Sequence, residues 1–221
     1  LAVFERGPSG VPFLDLCVIK GRFPSRKAQF CTEFLKTKPL TEYAIYLIDQ
    51  GHAVWSWQGV RGQESESRAR RLWCPLNIPA CDKNFEDVGG GLFIYRPILR
   101  WSALDTFEVM KMFGIEPNPL YKLGMGRVGC MPCVNTGKDE ILEISKRFPD
   151  HIDRIEEWEA AVRIASKRGG ASFFPAPDDG RGALVGDNIR KVIQWSRTSR
   201  GGRQISIFAD DAPSACSSSY G

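Results

Sequence analysis

The chain has 221 residues, 43% hydrophobic and 25% charged, which supports one full core with a small appendage and excludes several large domains. Its formal charge of +4 is compatible with anionic substrates or nucleic acid, but ordinary surface charge accounts for it equally well. There is no apolar run of membrane-spanning length and no charged-then-apolar leader, so a soluble, cytoplasmic protein is expected.

Residues 12–19 form a short apolar run containing Cys17, with the composition of a buried strand or the lead into one. The basic connector Lys20-Gly-Arg-Phe-Pro-Ser-Arg-Lys27 follows. From Ser25 the spacing of Ala28, Cys31, Phe34 and Leu35 predicts a helix with Cys31 on its apolar face, where a core cysteine is the simplest reading. Lys36, Lys38 and Pro39 should close it. A second helix is expected over 40–50, with Tyr43, Ile45, Tyr46, Leu47 and Ile48 mostly buried and Gly51 as its stop.

Residues 53–57 read as a buried parallel strand that runs into Gly59-Val-Arg61-Gly-Gln-Glu-Ser65-Glu-Ser67-Arg68. Such a turn lies at the carboxyl edge of a sheet, where open α/β folds bind ligands. Arg61 and Arg68 are suited to grip phosphate or sulfate, with Ser65 and Ser67 as further donors. A solvated charged loop explains the same residues. Cys74 and Cys81 flank a Pro-containing connector, and the segment from Asp82 to Gly91 looks like a surface loop. Residues 92–98 are the next strand. Ser102 then caps a helix that holds Leu104, Phe107, Val109, Met110 and Phe113 and ends at Gly114.

The loop from Pro117 to Cys133 contains three Pro and three Gly and ends in Cys130-Met-Pro-Cys133. Two thiols held two residues apart can bind zinc, share an iron-sulfur cluster, or cycle between dithiol and disulfide, and a structural turn with buried thiols is the plain alternative. An odd set of seven cysteines suits reduced thiols, a metal or cluster site, or a redox pair better than a secreted disulfide framework. Residues 138–168 are helical almost throughout, with one apolar stripe before Pro149 and another after it, and His151 reads as a solvated or capping residue. Beyond Gly169 the composition predicts a basic, flexible tail with one short strand at 204–208; Arg181, Arg190, Lys191, Arg197, Arg200 and Arg203 give it a bias that could meet nucleic acid. The start at Leu1 and the polar end read as a fragment of a longer protein.

Three stretches taken in order resemble the phosphoadenosine phosphosulfate (PAPS) reductase family. They are Phe30-Cys31-Thr-Glu-Phe-Leu-Lys36-Thr-Lys38-Pro39-Leu40, the Gly59 to Arg68 turn, and Tyr95-Arg-Pro97-Ile-Leu-Arg-Trp101 with Asn118-Pro-Leu-Tyr121 and Gly129-Cys130-x-x-Cys133. The resemblance implies an α/β fold of the adenine-nucleotide α-hydrolase type: a mostly parallel Rossmann-like sheet with helices on both faces. Residues 1–136 would be its C-terminal part, 137–168 a helical extension and 169–221 the tail. The family's Ser-Gly-Gly-Lys-Asp-Ser phosphate loop does not occur in this sequence.

The family also implies chemistry. Its adenylyl-sulfate reductase branch holds a 4Fe-4S cluster, and Cys31, Cys130 and Cys133 fall on three of the ligand positions. Phe30 stands in the fourth, so Cys17 is the candidate replacement, with Cys74 and Cys81 as the other choices and zinc as an alternative metal. Arg61, Ser67 and Arg68 inherit sulfonucleotide binding, with Lys36 as a further cation. A C-terminal thiolate, positionally Cys216, attacks the sulfate sulfur, and thioredoxin or glutathione then releases sulfite. Around Cys216 the Ala-Cys-Ser-Ser context differs from the family's Glu-Cys-Gly-Leu-His. A sulfur transferase acting on DNA or tRNA and a zinc-stabilised binding module are the alternatives.

Overall fold

The structure, a computed structural model, describes residues 8–25, 27–76, 78–126, 128–174 and 188–199, without the side chain of Ser67. Cys216, the strand expected at 204–208, and Arg181, Arg200 and Arg203 lie outside the described residues. In chain order the elements are α1 (Pro12–Lys20), α2 (Phe30–Thr32), a π-turn (Glu33–Thr37), α3 (Lys38–Asp49), β1 (Val54–Trp57), α4 (Glu66–Leu72), β2 (Phe85–Gly89), β3 (Leu92–Tyr95), α5 (Ala103–Met112), α6 (Pro119–Lys122), α7 (Lys138–Arg147), α8 (Pro149–Ala165) and α9 (Ile189–Ser196). Two compact units divide the chain. One spans residues 39–117; the other joins the described residues up to 38 with those from 118 on.

The unit of residues 39–117 is built on a three-stranded mixed sheet in the order β1-β3-β2. β1 runs parallel to β3, pairing Val54 with Leu92 and Trp57 with Tyr95, whereas β2 runs antiparallel to β3. An α/β architecture is therefore present, while the described strands make one parallel and one antiparallel pairing rather than a mostly parallel sheet. The segment expected as a surface loop supplies β2. Its hairpin turns through Gly89, Gly90 and Gly91, all at positive φ, a conformation that side chains resist and that allows the reversal. The expected capping box forms at α5, where Ser102 Oγ accepts from Asp105 N and Asp105 accepts from Ser102 N.

Burial departs from expectation on α3 and β1. On α3, Tyr43, Ile45 and Tyr46 are exposed rather than buried. On β1, Trp55 and Trp57 are 53% and 70% exposed, so that strand is covered less than a central parallel strand would be. Trp55, Phe85 and Phe93 instead stack on one another along one sheet face, with centroids 5.0–6.1 Å apart.

The other unit is helical. Residues 12–19, expected as a strand, form α1. Pro12 occupies its first turn, where a missing N–H costs nothing, and Gly21 ends it at φ 60°. A Cβ at Gly21 would meet the Ala165 carbonyl oxygen at 2.9 Å, so the close approach of α1 to the end of α8 also requires glycine. Pro39 does not close a helix either. The run from Phe30 to Asp49 is continuous through the π-turn, in which Lys38 N donates to Glu33 O. α7 and α8 follow the two apolar stripes, with Pro149 at the start of α8. Within the stretch expected as tail, α9 packs Ile189, Val192 and Ile193 into the core formed by Leu16, Ile144, Ile155 and Val162. Among the described residues no helix is long and apolar enough to cross a membrane.

Candidate functional site

The cysteines of the helical unit occupy distinct environments. Cys17 lies wholly buried on α1, and burial, reinforced by the charge of nearby Cys31, pushes its thiol up to about 12. It is therefore a protonated core thiol beside Cys31. Cys31 is half-buried on α2, as its helical spacing suggested. In the Cys-x-x-Cys turn, Cys133 is anchored: its N–H donates to Thr136 Oγ1 at 3.0 Å, and its side chain packs against the core. Cys130 stands exposed, with the Lys36 ammonium 3.7 Å from its sulfur.

These four thiols share one unit, yet among the described residues no three Cys, His, Asp or Glu side chains converge as a metal shell would require. The placement joins Cys17 to Cys31 and Cys130 to Lys36, and the buried, protonated Cys17 does not supply a ready fourth thiolate. The residues as placed do not fit a preformed cluster or zinc site.

The arginine turn belongs to the sheet unit. Arg61 is extended just beyond β1, at the carboxyl end of that strand, and Gly62 beneath it is buried. A Cβ at Gly62 would lie 2.3 Å from the Trp73 indole nitrogen, so only glycine lets the turn rest on that ring. Glu64 carries an ion pair to each arginine, at 3.6 Å to Arg61 and also to Arg68. Ser65 Oγ accepts from Arg68 N at 3.3 Å, which makes it the N-cap of α4. The turn therefore presents two guanidinium groups bridged by one carboxylate. An arriving dianion would compete with Glu64 for both.

Several organising residues carried no signal in the sequence reading. Asp82 accepts from Arg100 Nε and NH2 at 2.5 and 2.9 Å, and Arg100 lies 5.1 Å from the Trp73 ring centroid. Glu159, fully buried on α8, accepts from Phe173 N and Ile189 N, each at 2.8 Å. Their partners lie 14 to 30 residues away, beyond any local pattern. The tail's basic bias is partly neutralised within the fold, because Arg190 pairs with Asp153 and Glu156. A different cationic feature is a cleft of about 960 Å³ in the helical unit, lined by Lys20, Arg22, Lys27, Lys138, Lys167 and Arg168, with no acid among its described lining residues.

Comparison with known proteins supplies the context for these residues. An uncharacterized 37.8 kDa protein in the gpa 5' region of Escherichia phage 186 is 41% identical over 223 residues, covering 96% of this chain and 64% of the relative. Adenosine 5'-phosphosulfate reductases of Neisseria meningitidis serogroups A and B are each 31% identical over 112 residues, covering 49% of this chain and 39% of the relative. The chain thus spans less than two thirds of the length of these relatives. No solved structure matches it. The phosphoadenosine phosphosulfate reductase domain matches residues 19–136, a stretch that takes in Cys31, the arginine turn and both cysteines of the Cys-x-x-Cys loop, and the chain belongs to that family.

Proposed function

We propose that this chain is part of a sulfonucleotide reductase-type enzyme acting on PAPS or adenylyl sulfate. The observation that carries the reading is the arginine turn at the carboxyl end of β1, in a chain of this family. Arg61 and Arg68 hold the anionic end of the nucleotide after displacing Glu64, and the backbone of the turn keeps them in place through Gly62 and the Ser65 cap. Ser67 and Lys36 are further substrate-binding residues by their positions in the resemblance.

In the reaction a thiolate, for which Cys216 is the positional candidate, attacks the sulfate sulfur. The bond from sulfur to the bridging phosphate oxygen breaks, and the nucleotide leaves as the leaving group. A thiol of thioredoxin or glutathione then attacks the cysteine sulfur, forming a disulfide and releasing sulfite. By the resemblance alone, Cys31, Cys130 and Cys133 with Cys17 would be the donors to a 4Fe-4S cluster or to zinc. Because they do not converge in this structure, no step is routed through a metal.

Sulfite release from either sulfonucleotide with thioredoxin or glutathione tests the reading. Arg61→Ala should raise KM or abolish turnover, and absence of sulfite from the full-length protein with both substrates and both reductants would overturn it. Iron, sulfide and zinc measured on anaerobically purified protein decide the metal question separately.

A second reading, sulfur transfer to DNA or tRNA, is favoured by the cationic cleft with its Phe23, Phe173 and Trp195 walls. Affinity for oligonucleotides that falls steeply with salt, without sulfite release, would select it.

A further inference from the structure

Cys74 and Cys81 stand at the neck of a closed loop in the sheet unit. The Leu72 carbonyl accepts from Lys83 N at 2.9 Å, and one step further in, Cys74 N–H donates to Asp82 Oδ1 at 2.7 Å. Arg100 clamps Asp82 from the other side through two N–H groups. The returning limb is fixed as a single 3-10 turn over Pro79–Cys81, with Cys81 N donating to Ile78 O at 2.9 Å and Asp82 N to Pro79 O at 3.2 Å. These bonds hold Cys74 and Cys81 on the two limbs of one narrow loop, where each thiol shifts the ionisation of the other.

The two sulfurs are not equivalent. Cys74 sulfur accepts from the backbone N–H groups of Leu76 and Ile78 and from the Cys81 thiol, and the Leu76 bond leads in drawing its ionisation below the ordinary value despite desolvation and the charge of Asp82. Cys81, which donates to Cys74 and feels its charge, is raised. Cys74 is therefore the more readily ionised of the two, and Cys81 holds its proton the more firmly. Cys81 is exposed and Cys74 half-buried, so a small reagent can reach the pair. Cys17 beside Cys31 makes the contrast: a fully buried thiol pushed up to about 12 is a poor nucleophile.

We propose that Cys74 and Cys81 form a dithiol–disulfide redox pair in which Cys74 attacks and Cys81 resolves. With a disulfide such as glutathione disulfide as oxidant, the Cys74 thiolate attacks one sulfur and the other leaves as a glutathione thiolate. Cys81 then gives up its proton, which the released thiolate takes, and attacks the Cys74 sulfur, expelling the second glutathione thiolate. One disulfide is reduced as the Cys74–Cys81 bond forms: two electrons pass from the chain to the oxidant, the Cys81 proton goes to the first glutathione thiolate, and the second glutathione thiolate takes its proton from water. The pair would cycle in this way whatever the chain's sulfur acceptor is.

The test equilibrates the full chain in glutathione buffers of graded ratio, quenches with acid, blocks free thiols and maps disulfides by peptide mass spectrometry. A Cys74–Cys81 linked peptide should grow as the buffer becomes oxidising and vanish on return to reduced glutathione. In Cys81→Ser, the Cys74–glutathione mixed disulfide should accumulate about tenfold over wild type, since nothing resolves it. Alkylation of Cys74 in the reduced chain should run about tenfold faster than that of Cys81. Two free thiols at the most oxidising ratio in the wild-type chain, with an unchanged circular dichroism spectrum, would overturn the pair. Preferential bonding of Cys74 to another cysteine would do the same, and both readouts stand even if a variant fails to fold.

Discussion

A buried carboxylate ties distant segments together in each unit, Asp82 in the sheet unit and Glu159 in the helical unit, and the two are met by different partners. In the sheet unit Asp82 faces a full cation, and the Arg100 hydrogen bonds hold its carboxyl below the ordinary range despite burial. In the helical unit Glu159 is met by neutral donors, Phe173 N, Ile189 N and Ser172 Oγ, with the charge of Arg163 a lesser influence. Burial outweighs them and pushes its carboxyl above the ordinary value. Hydrogen bonds to backbone N–H groups satisfy the oxygens of a buried acid without offsetting the full cost of its charge, which an opposing guanidinium does.

The largest effect that would break this comparison is expected from Glu159→Ala. It orphans two buried N–H groups and frees the start of α9, for a loss of about 3 kcal/mol or more in urea unfolding. Next, Gly62→Ala drives a Cβ into the Trp73 ring and should lose about 1–3 kcal/mol in the same measurement, loosening the arginine turn with it. Glu159→Gln keeps one acceptor oxygen but turns an NH2 toward the other N–H, so it should lose less than Glu159→Ala, about 1–2 kcal/mol. Trp57→Ala, on an exposed strand face, should stay within about 0.5 kcal/mol.

The pH dependence sharpens the contrast, because the two acids have opposite signs. Asp82, lowered in the folded state, contributes stability that is present above its unfolded value and lost as pH falls through its folded value. Glu159, raised in the folded state, gives stability that is full below its unfolded value and declines as pH rises through its folded value. In stability curves across acid pH, Asp82→Asn should therefore differ most from wild type at neutral pH. The deficit of Glu159→Gln should shrink as pH rises from the ordinary glutamate range. Parallel curves for the two variants would remove the distinction.

The elements legible in the sequence are those written in local chemistry. Ser102 with Asp105 marked the start of α5, Pro149 divided α7 from α8, and apolar runs placed β1 and β3. α1 was missed because its residues are apolar nearly all round, which leaves no 3.6-residue stripe to separate a buried helix from a buried strand; Pro12 and Gly21 were the signals available. α9 was hidden by the basic residues around it, although Ile189, Val192 and Ile193 carry helical spacing. Arg61 and Arg68 were legible as cations. Their shared partner Glu64, three and four residues away, was also within reach of the helix-neighbour rule. The meeting of Cys17 with Cys31 depends on tertiary packing and left no local trace.

The place of α9 in the core separates two meanings of a domain. The stretch matched by the family domain, residues 19–136, contributes to the buried helical core only Phe23, Phe30, Met125 and Val134 among the described residues. Leu16 and Cys17 precede it, and the residues from Ile141 to Ile193 that complete the cluster follow it. The part the wider family shares is thus not the part that must fold together, whereas the phage relative matches nearly the whole chain. Trimming a gene to the family-domain stretch would strip the helical unit of most of its described interior, and a cut for expression belongs beyond Ser196.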